Sequence, residues 1–589
     1  DGILGQLYAL GKDLMTFVVI FSVLWLIWRR LVTKPKRFEG AKTWEATLIL
    51  FWIFALMVTD YLVEASQIGI ERHLDKERSG ELIFSWFMPF ASIGSTFLVG
   101  LSDSALAWIW KVNVWIHITL VWSFLNYLPY GKHFHVLTAI PNVFFMRLTP
   151  HGRLEPIKDI EAEMEKDEPK MGVKDIADLS WKHIFDVYSC TECGRCTTDC
   201  PAFDTKKPLS LRDVNLTIKH YLYEKGPYAL GKKTNPDGSE PKFDGPEQMV
   251  PEVVTTDTIW SCTLCRECED RCPVLIEQVP RIVEMRRYLA MMESNFPSEL
   301  NLVFKGWERN SNPWNLGFDK RADWITEDLQ IPVFGEMEDE EKKNVDFLFY
   351  VGCMGSYDDR SIRITKAFIK IMKTAGIKFA LLGPEESCCG ETARRLGNEF
   401  LGQILAQQLV ETINGYGVKK IIATCPHCYN TLKNEYPDFG GTWDVYHAQE
   451  VAAQLIKDGK IKIAKKIDAD ITYHDSCFLG RYNEIYDAPR EIIKAIGGLN
   501  FKETRRNHNF GYCCGAGGGR MWLEEHEPRI NYRRFDELAE TNPKLIGTSC
   551  PYCNTMITDG SKARNKEEDI KVKDLVELVA ESMETETKS

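Results

Sequence analysis

The chain has 589 residues, enough for several domains, and its net charge of −12 argues against a nucleic-acid partner. Its 18 cysteines come without a secretory signal, and many stand at C-x-x-C spacings. They therefore read as metal or redox ligands in a reducing compartment, not as disulfides. Residue 1 is aspartate and the sequence opens inside an apolar region, so we expect a longer parent chain.

Composition changes near residue 150. Before it lie four apolar runs, 14–28, 44–65, 81–101 and 106–128. About 20 apolar residues cross a bilayer core, so residues 1–148 are expected to form a membrane domain. The segment 29–42 holds Arg29, Arg30, Lys34, Lys36, Arg37 and Lys42 against the single acid Glu39. The segment 66–81 mixes Arg72, Lys76 and Arg78 with four acids, so the first is the better cytoplasmic loop. If all four runs cross, the rest of the chain lies outside. If 81–101, interrupted by Pro89 and glycines, does not cross, it lies in the cytoplasm, which the cysteine chemistry favours.

His117 sits inside the fourth run, where an imidazole is a functional candidate by default. His135 follows 18 residues later. On an unbroken helix both rings share one face, about 27 Å apart. That suits axial ligands of two b-type haems, one near each membrane surface. His133 points the other way unless Pro129 bends the helix, and is the alternative ligand.

Residues 3–145 resemble the later part of the membrane domain of nitrate reductase gamma subunits. The match is most specific in the last helix, with its two histidines and "LPYGKHFH" at its end. The resemblance implies bis-histidine haems whose partner histidines lie on an earlier helix, and the runs 14–28 and 44–65 carry none. It also implies that 81–101 is a connection at the outer face and that the last helix ends in the cytoplasm.

"CTECGRCTTDCP" and "CTLCRECEDRCP" both read C-x2-C-x2-C-x3-C-P. In this pattern three closely spaced thiolates wrap one cubane and the fourth reaches the other cluster. Cys190, Cys193, Cys196 and Cys272 are therefore assigned to one [4Fe–4S] centre, and Cys262, Cys265, Cys268 and Cys200 to the other. Zinc modules pair C-x-x-C with C-x-x-C and fit worse. Between them, Gly226, Gly231 and Lys232 approach a phosphate loop, but Lys233 stands where a hydroxyl is needed and no strand precedes.

The last ten cysteines form two sets: Cys353, Cys388, Cys389, Cys425 and Cys428, then Cys477, Cys513, Cys514, Cys550 and Cys553. The sets are offset by 124 or 125 residues, which is an internal duplication. Residues 345–352, 419–428 and 544–553 read as strands running into cysteines, with helix over 396–414, so thiolates gather at one sheet edge. Five thiolates exceed a cubane's four. "GAGGGR" lacks the spacing of a dinucleotide loop, and the CCG pairs fit zinc badly. His427 and His474 flank cluster cysteines and are read as packing or hydrogen-bonding residues, not ligands.

Each set resembles the cysteine-rich CCG domain of heterodisulfide reductase catalytic subunits. That implies one or two non-cubane [4Fe–4S] clusters in which adjacent cysteines serve as bridging and terminal ligands. The whole order, with "CCGAGGGRMWLEE" and "TSCPYCNTM", resembles membrane-bound iron–sulfur oxidoreductases that take electrons from electron-transfer flavoprotein and reduce menaquinone.

The expected fold is multidomain. An all-α transmembrane haem b domain (1–148) and a linker (149–178) precede an α-helical 2[4Fe–4S] ferredoxin domain (179–290). A second linker (291–344) leads to a duplicated α/β CCG domain (345–470 and 471–589). The expected site is a multi-pass protein of the cytoplasmic membrane, in contact with lipid, its iron–sulfur domains on the cytoplasmic side. The donor is electron-transfer flavoprotein or another flavin-containing protein, because neither a flavin nor a nicotinamide motif is visible. The alternatives are a heterodisulfide reductase fed from the membrane pool and a non-catalytic relay subunit. No catalytic residue is assigned.

Overall fold

The structure, a computed structural model, describes residues 2–35, 43–79, 84–232 and 242–584. Lys36, Arg37, Glu39 and Lys42 of the basic segment, and Lys233 of the polar insertion, lie outside the described residues. The chain divides into two compact units. One comprises the described residues up to Phe144 with Tyr188–Gly194; the other comprises Phe145–Val187 and the described residues from Arg195 on.

The first unit is helical: α1 (Ile3–Trp28), α2 (Thr43–Ser79), α3 (Pro89–Leu98), α4 (Asp103–Tyr127) and α5 (His135–Phe144). Among the described residues, three stretches are long and apolar enough to cross a membrane: Ile3–Thr33, Trp44–Leu74 and Asp103–Tyr127. Their large apolar side chains point outward, with Phe21, Trp108, Trp115 and Trp122 all more than half exposed, as a lipid-facing surface requires. The ten residues of α3 rise about 15 Å, half a bilayer core. Pro89 opens that helix, and the buried Asp13 carboxylate of α1 accepts from Phe90 N (2.7 Å) and Ala91 N (3.0 Å), capping it from outside.

The unbroken last helix expected through His135 is not there. α4 stops at Tyr127, a turn and a 3-10 segment Lys132–Phe134 follow, and α5 begins at His135. Pro129 has no N–H to continue the ladder, and the Gly131 N–H turns back to Tyr127 O (3.0 Å). The 27 Å spacing on one face therefore does not hold for His117 and His135.

The second unit contains two four-stranded parallel sheets. β1 (Phe347–Tyr350), β2 (Phe379–Ala380), β3 (Lys420–Ala423) and β4 (Asp444–His447) pair in the order β2-β1-β3-β4. β5 (Ala469–Tyr473), β6 (Leu499–Phe501), β7 (Leu545–Thr548) and β8 (Lys571–Asp574) pair as β6-β5-β7-β8. The topologies are identical, as the duplication requires. Leu348, Phe349, Ile421 and Ile422 on the central strands are fully buried, because helices cover both faces of a parallel sheet. The repeats share one core: Phe368, Ile371 and Met372 of the first belong to the same buried cluster as Leu578 and Val579 of the second. Arg360 pins this seam with two hydrogen bonds to the Glu577 carboxylate (2.7 and 2.6 Å).

In each sheet the connections from the central pair leave in opposite directions. The carboxyl ends of β1 and β3, and of β5 and β7, therefore flank a crevice of the kind that holds ligands in open parallel sheets. Cys353 and Cys425 follow β1 and β3; Cys477 and Cys550 follow β5 and β7.

Candidate functional site

All eighteen cysteines are free thiols, and fifteen of them are buried. The two C-x-x-C-x-x-C loops share one backbone pattern. Glu192 (φ 55°) and Gly194 (φ 75°) are left-handed in the first, and Leu264 (φ 50°) and Arg266 (φ 65°) at the matching positions of the second. These turns curl the loop around its sulfurs, and Leu264 N donates to Cys262 Sγ (3.4 Å). Cys262, Cys265, Cys268 and Cys200 are buried together. Burial, then the neighbouring Cys265 and Cys262 sulfurs, raises the Cys200 thiol pKa; burial pushes Cys262 up to about 11. Cys190 and Cys193 lie in the first unit and Cys196 and Cys272 in the second. Cys190 is buried and the other three are half-buried.

In the first repeat, Cys389 and Cys428 sulfurs are 3.5 Å apart; in the second, Cys553 and Cys514 are 3.4 Å apart. Hydrogen bonds from Cys388 and Cys428 hold the Cys389 thiol down to about 6. Cys513 and Cys553 hold Cys514 well below the ordinary thiol value in the same way. Each site thus holds one sulfur that ionises more readily than an ordinary thiol, and the thiolate is the form that binds metal. The glycine after each cysteine pair is left-handed, Gly390 at φ 68° and Gly515 at φ 98°, which lets the chain leave the pair sharply.

Buried cations balance the sulfurs. Arg321 Nη2 reaches Cys353 Sγ (3.5 Å) while its Nη1 pairs with Glu386 (2.9 Å). Arg481 pairs with Glu267 (2.5 Å) and donates to Cys265 O (2.8 Å). Five buried thiols beside fixed positive charge fit an anionic iron–sulfur group.

The three cysteine-rich regions of the second unit touch. Cys265 of the ferredoxin-type loop packs in one buried cluster with Cys477 and Cys513 of the second repeat. The glycine run 515–519 lies on that loop: a Cβ on Gly517 would stand 2.6 Å from Thr263 O, and one on Gly518 2.9 Å from Cys262 O. Buried Arg286 ties the junction, donating to Cys262 O (2.6 Å), Ile259 O (3.1 Å), Gly518 O (2.8 Å) and Arg395 O (3.0 Å). The two repeats meet at Cys425 and Cys550, with His427 Nδ1 between them, 3.8 Å from the first sulfur and 3.9 Å from the second. Burial opposes charge on His427, but the Cys425 and Cys550 sulfurs raise its pKa.

His427 behaves as the sequence suggests, as a hydrogen-bonding neighbour. His474 stands closer than expected: one of its ring nitrogens lies within 4.8 Å of both Cys514 and Cys553 sulfurs. Burial lowers its pKa and keeps the ring neutral.

In the first unit, His117 Nδ1 lies 3.0 Å from Thr59 Oγ1 and 3.2 Å from Leu56 O. His135 Nδ1 donates to Lys132 O (2.8 Å). Both arrangements orient the ring through one nitrogen, as in metal-ligating histidines. His133 packs against His135 with centroids 5.4 Å apart. His73 on α2 cannot pair with them: its nitrogens are held by Asp103 (2.5 Å) and Val99 O (2.7 Å). His117 and His135 are thus each oriented through Nδ1.

Several groups escaped the sequence reading. Arg321 and Arg286 had no local signal, since their partners lie far along the chain. The cluster of Lys12 with Asp60 (3.0 Å) and Glu64 (2.7 Å) inside membrane-length helices did have one, because ionisable residues within such runs mark candidate ligand or proton sites.

Convergent buried thiols at the ends of parallel strands, joined to a two-loop ferredoxin-type segment, define an iron–sulfur oxidoreductase. The family model of the cysteine-rich domain matches residues 347–433 and 471–558, and that of the 4Fe-4S dicluster domain matches 186–276. The chain is 40% identical to the "Probable iron-sulfur-binding oxidoreductase FadF" of Bacillus subtilis, over 97% of this chain and 82% of that protein. It is 39% identical to the EtfAB:quinone oxidoreductase of Syntrophomonas wolfei, over the same shares. It is 29% identical to a subunit of the dihydromethanophenazine:CoB–CoM heterodisulfide reductase of Methanosarcina barkeri, over 69% of this chain and 97% of that protein. The chain belongs to the family of iron–sulfur oxidoreductases that includes FadF and the EtfAB:quinone oxidoreductase.

Proposed function

We propose that the protein is a membrane-bound electron-transfer flavoprotein:menaquinone oxidoreductase. The observation that carries the reading is the run of buried sulfurs from Cys425 and Cys550, either side of His427, through the Cys553–Cys514 pair to Cys513, which shares a buried cluster with Cys265. It is supported by 39% identity across 97% of the chain to a relative named an EtfAB:quinone oxidoreductase.

In this reading Cys353, Cys388, Cys389, Cys425 and Cys428 hold one non-cubane cluster, and Cys477, Cys513, Cys514, Cys550 and Cys553 a second. Cys262, Cys265, Cys268 and Cys200 hold one cubane; Cys190, Cys193, Cys196 and Cys272 hold the other. Iron–sulfur clusters, when bound, accept and release single electrons. The protein's part is positional. The parallel sheets fix the thiols, Arg321 and Arg481 offset their charge, and the glycine run brings the second repeat against the Cys265 loop. His117 and His135, with His133 as the alternative, would each hold haem b through an imidazole, and haem, when bound, would carry single electrons. The iron–sulfur region faces the cytoplasm, and the boundaries at 148, 178, 290, 344 and 470 separate its parts.

The likeness to a heterodisulfide reductase component supports a second reading with the flow reversed. One assay separates the two. Purified membrane protein is mixed anaerobically with reduced electron-transfer flavoprotein and a menaquinone analogue. Flavoprotein reoxidation matched by quinone reduction supports the first reading. No turnover with flavoprotein, but cleavage of a thiol heterodisulfide with reduced quinone, supports the second.

A further inference from the structure

The two cysteine-rich sites differ at one buried position. Three residues before the first cysteine of each set stands Tyr350 in the first repeat and His474 in the second. Tyr350 gives its hydroxyl to the backbone, donating to Ser387 O (2.8 Å). His474 is 1% exposed, and one of its ring nitrogens lies within 4.8 Å of both the Cys514 and Cys553 sulfurs. Its Nδ1 is occupied by Arg534 Nε at 3.0 Å, and its Nε2 is buried without a hydrogen-bond partner.

Arginine can only donate, so Nδ1 must be the accepting nitrogen. The proton of the neutral ring is then on Nε2, which makes that nitrogen a donor. Arg534 is itself fully buried and held by Arg506 O (3.2 Å) and Glu537 (3.3 Å), so the tautomer is locked from behind. Thiolates are the only anionic acceptors that the Cys514–Cys553 pair offers.

We propose that the buried, otherwise unpartnered His474 Nε2–H is a donor to the Cys514–Cys553 thiolates of the second site when these carry a cluster, whereas Tyr350, at the matching position of the first site, gives its hydroxyl to Ser387 O. His474 is then a positioning residue that makes the two sites electronically unequal. A hydrogen bond to a ligand sulfur stabilises the reduced, more negative state and raises the reduction potential. His474 thus raises the potential of the second site, next to the Cys265 loop, and not that of the first. The proposal rests on the reading of both sites as cluster sites.

The test is an anaerobic redox titration of the full-length protein, followed by electron paramagnetic resonance and iron analysis. Cys514→Ala identifies the signal of the second site. If that variant keeps all its iron and every signal, the cluster reading itself fails, whatever His474 does. In His474→Leu the iron should stay, and the second-site potential should fall by at least a tenfold change in the reduction equilibrium, about 59 mV for one electron. The first-site potential should not move. His474→Gln, whose amide can donate from a similar point, should recover most of the shift and guards against a folding failure of the leucine variant. Tyr350→Phe should leave the first site unchanged. Unaltered potentials in His474→Leu would overturn the proposal. So would loss of the second cluster from both His474 variants, which would make the imidazole a ligand instead of a donor.

Discussion

The two repeats have the same sheet order and the same cysteine spacing, yet they part immediately after the CCG sequence. In the first, Glu391–Arg395 forms a helix whose Arg394 and Arg395 anchor Glu399 and Glu435 inside the fold. In the second, the matching residues are Ala516, Gly517, Gly518, Gly519 and Arg520, and Gly517 and Gly518 lie on the Cys262–Cys265 loop. Duplication supplied two thiol sites. Divergence of the four residues after each pair turned one toward the structural core and the other toward the ferredoxin-type cluster. The glycines are explained by this close approach, not by nucleotide binding.

The largest expected effect breaks both repeats at their common feature. Replacing Cys513 and Cys514 by alanine should remove the second site's iron and lower quinone reduction by about 100-fold or more. Replacing Cys388 and Cys389 should remove only the first site's iron, and iron analysis of the two variants would distinguish them.

Next is the Arg286 clamp, which ties the ferredoxin-type loop to Gly518 of the second repeat and Arg395 of the first. Arg286→Leu leaves buried carbonyls of Cys262, Ile259, Gly518 and Arg395 without their donor. The expected loss is about 3–5 kcal/mol, seen as a lower melting temperature. Gly517→Ala should cost less, about 2 kcal/mol, because the Thr263 backbone must shift to admit the methyl group. Thr392→Ala, at the matching position of the first repeat, should be close to neutral by the same measurement.

The smallest effect sharpens a difference at the helix caps. His447 and Asp574 occupy equivalent N-cap positions after the fourth strand of each repeat. Burial lowers the His447 pKa to about 4 and raises that of Asp574 to about 8. The buried neutral histidine favours folding above its unfolded pKa, and that contribution fades as pH falls toward 4. The aspartate binds its proton more tightly when folded, so its contribution is full below about 4 and is lost as pH rises to 8. Asp574→Asn keeps a capping side chain and should raise stability at neutral pH by about 1 kcal/mol, flattening the melting profile between pH 4 and 8.

Much of this was legible in the sequence because cysteine spacing is local. The duplication, the strand ends before Cys353, Cys425 and Cys550, and the two C-x-x-C-x-x-C loops all follow from short-range patterns. The edge strands were not legible: β2 has two residues, too few for periodicity. Nor was the partner of the glycine run, since Thr263 and Gly517 are brought together only by tertiary packing. His474 was visible beside its cysteine, but its tautomer depends on Arg534, sixty positions later. The stretches read as linkers also carry hidden contacts: Leu154 O accepts from Arg394 (3.1 Å), and Arg321 reaches Cys353. The break after α4 was hinted at by Pro129, whose missing N–H outweighed the apolar pattern.

The central claim is that electrons pass between the cysteine-rich domain and the cubanes through the second repeat. The most direct test mixes the Cys513→Ala, Cys514→Ala variant anaerobically with reduced flavoprotein and freezes samples for electron paramagnetic resonance. The account predicts that the first site is reduced while the cubanes, still carrying their iron, remain oxidised and quinone is not reduced. Cubane reduction at the unmodified protein's rate would contradict it.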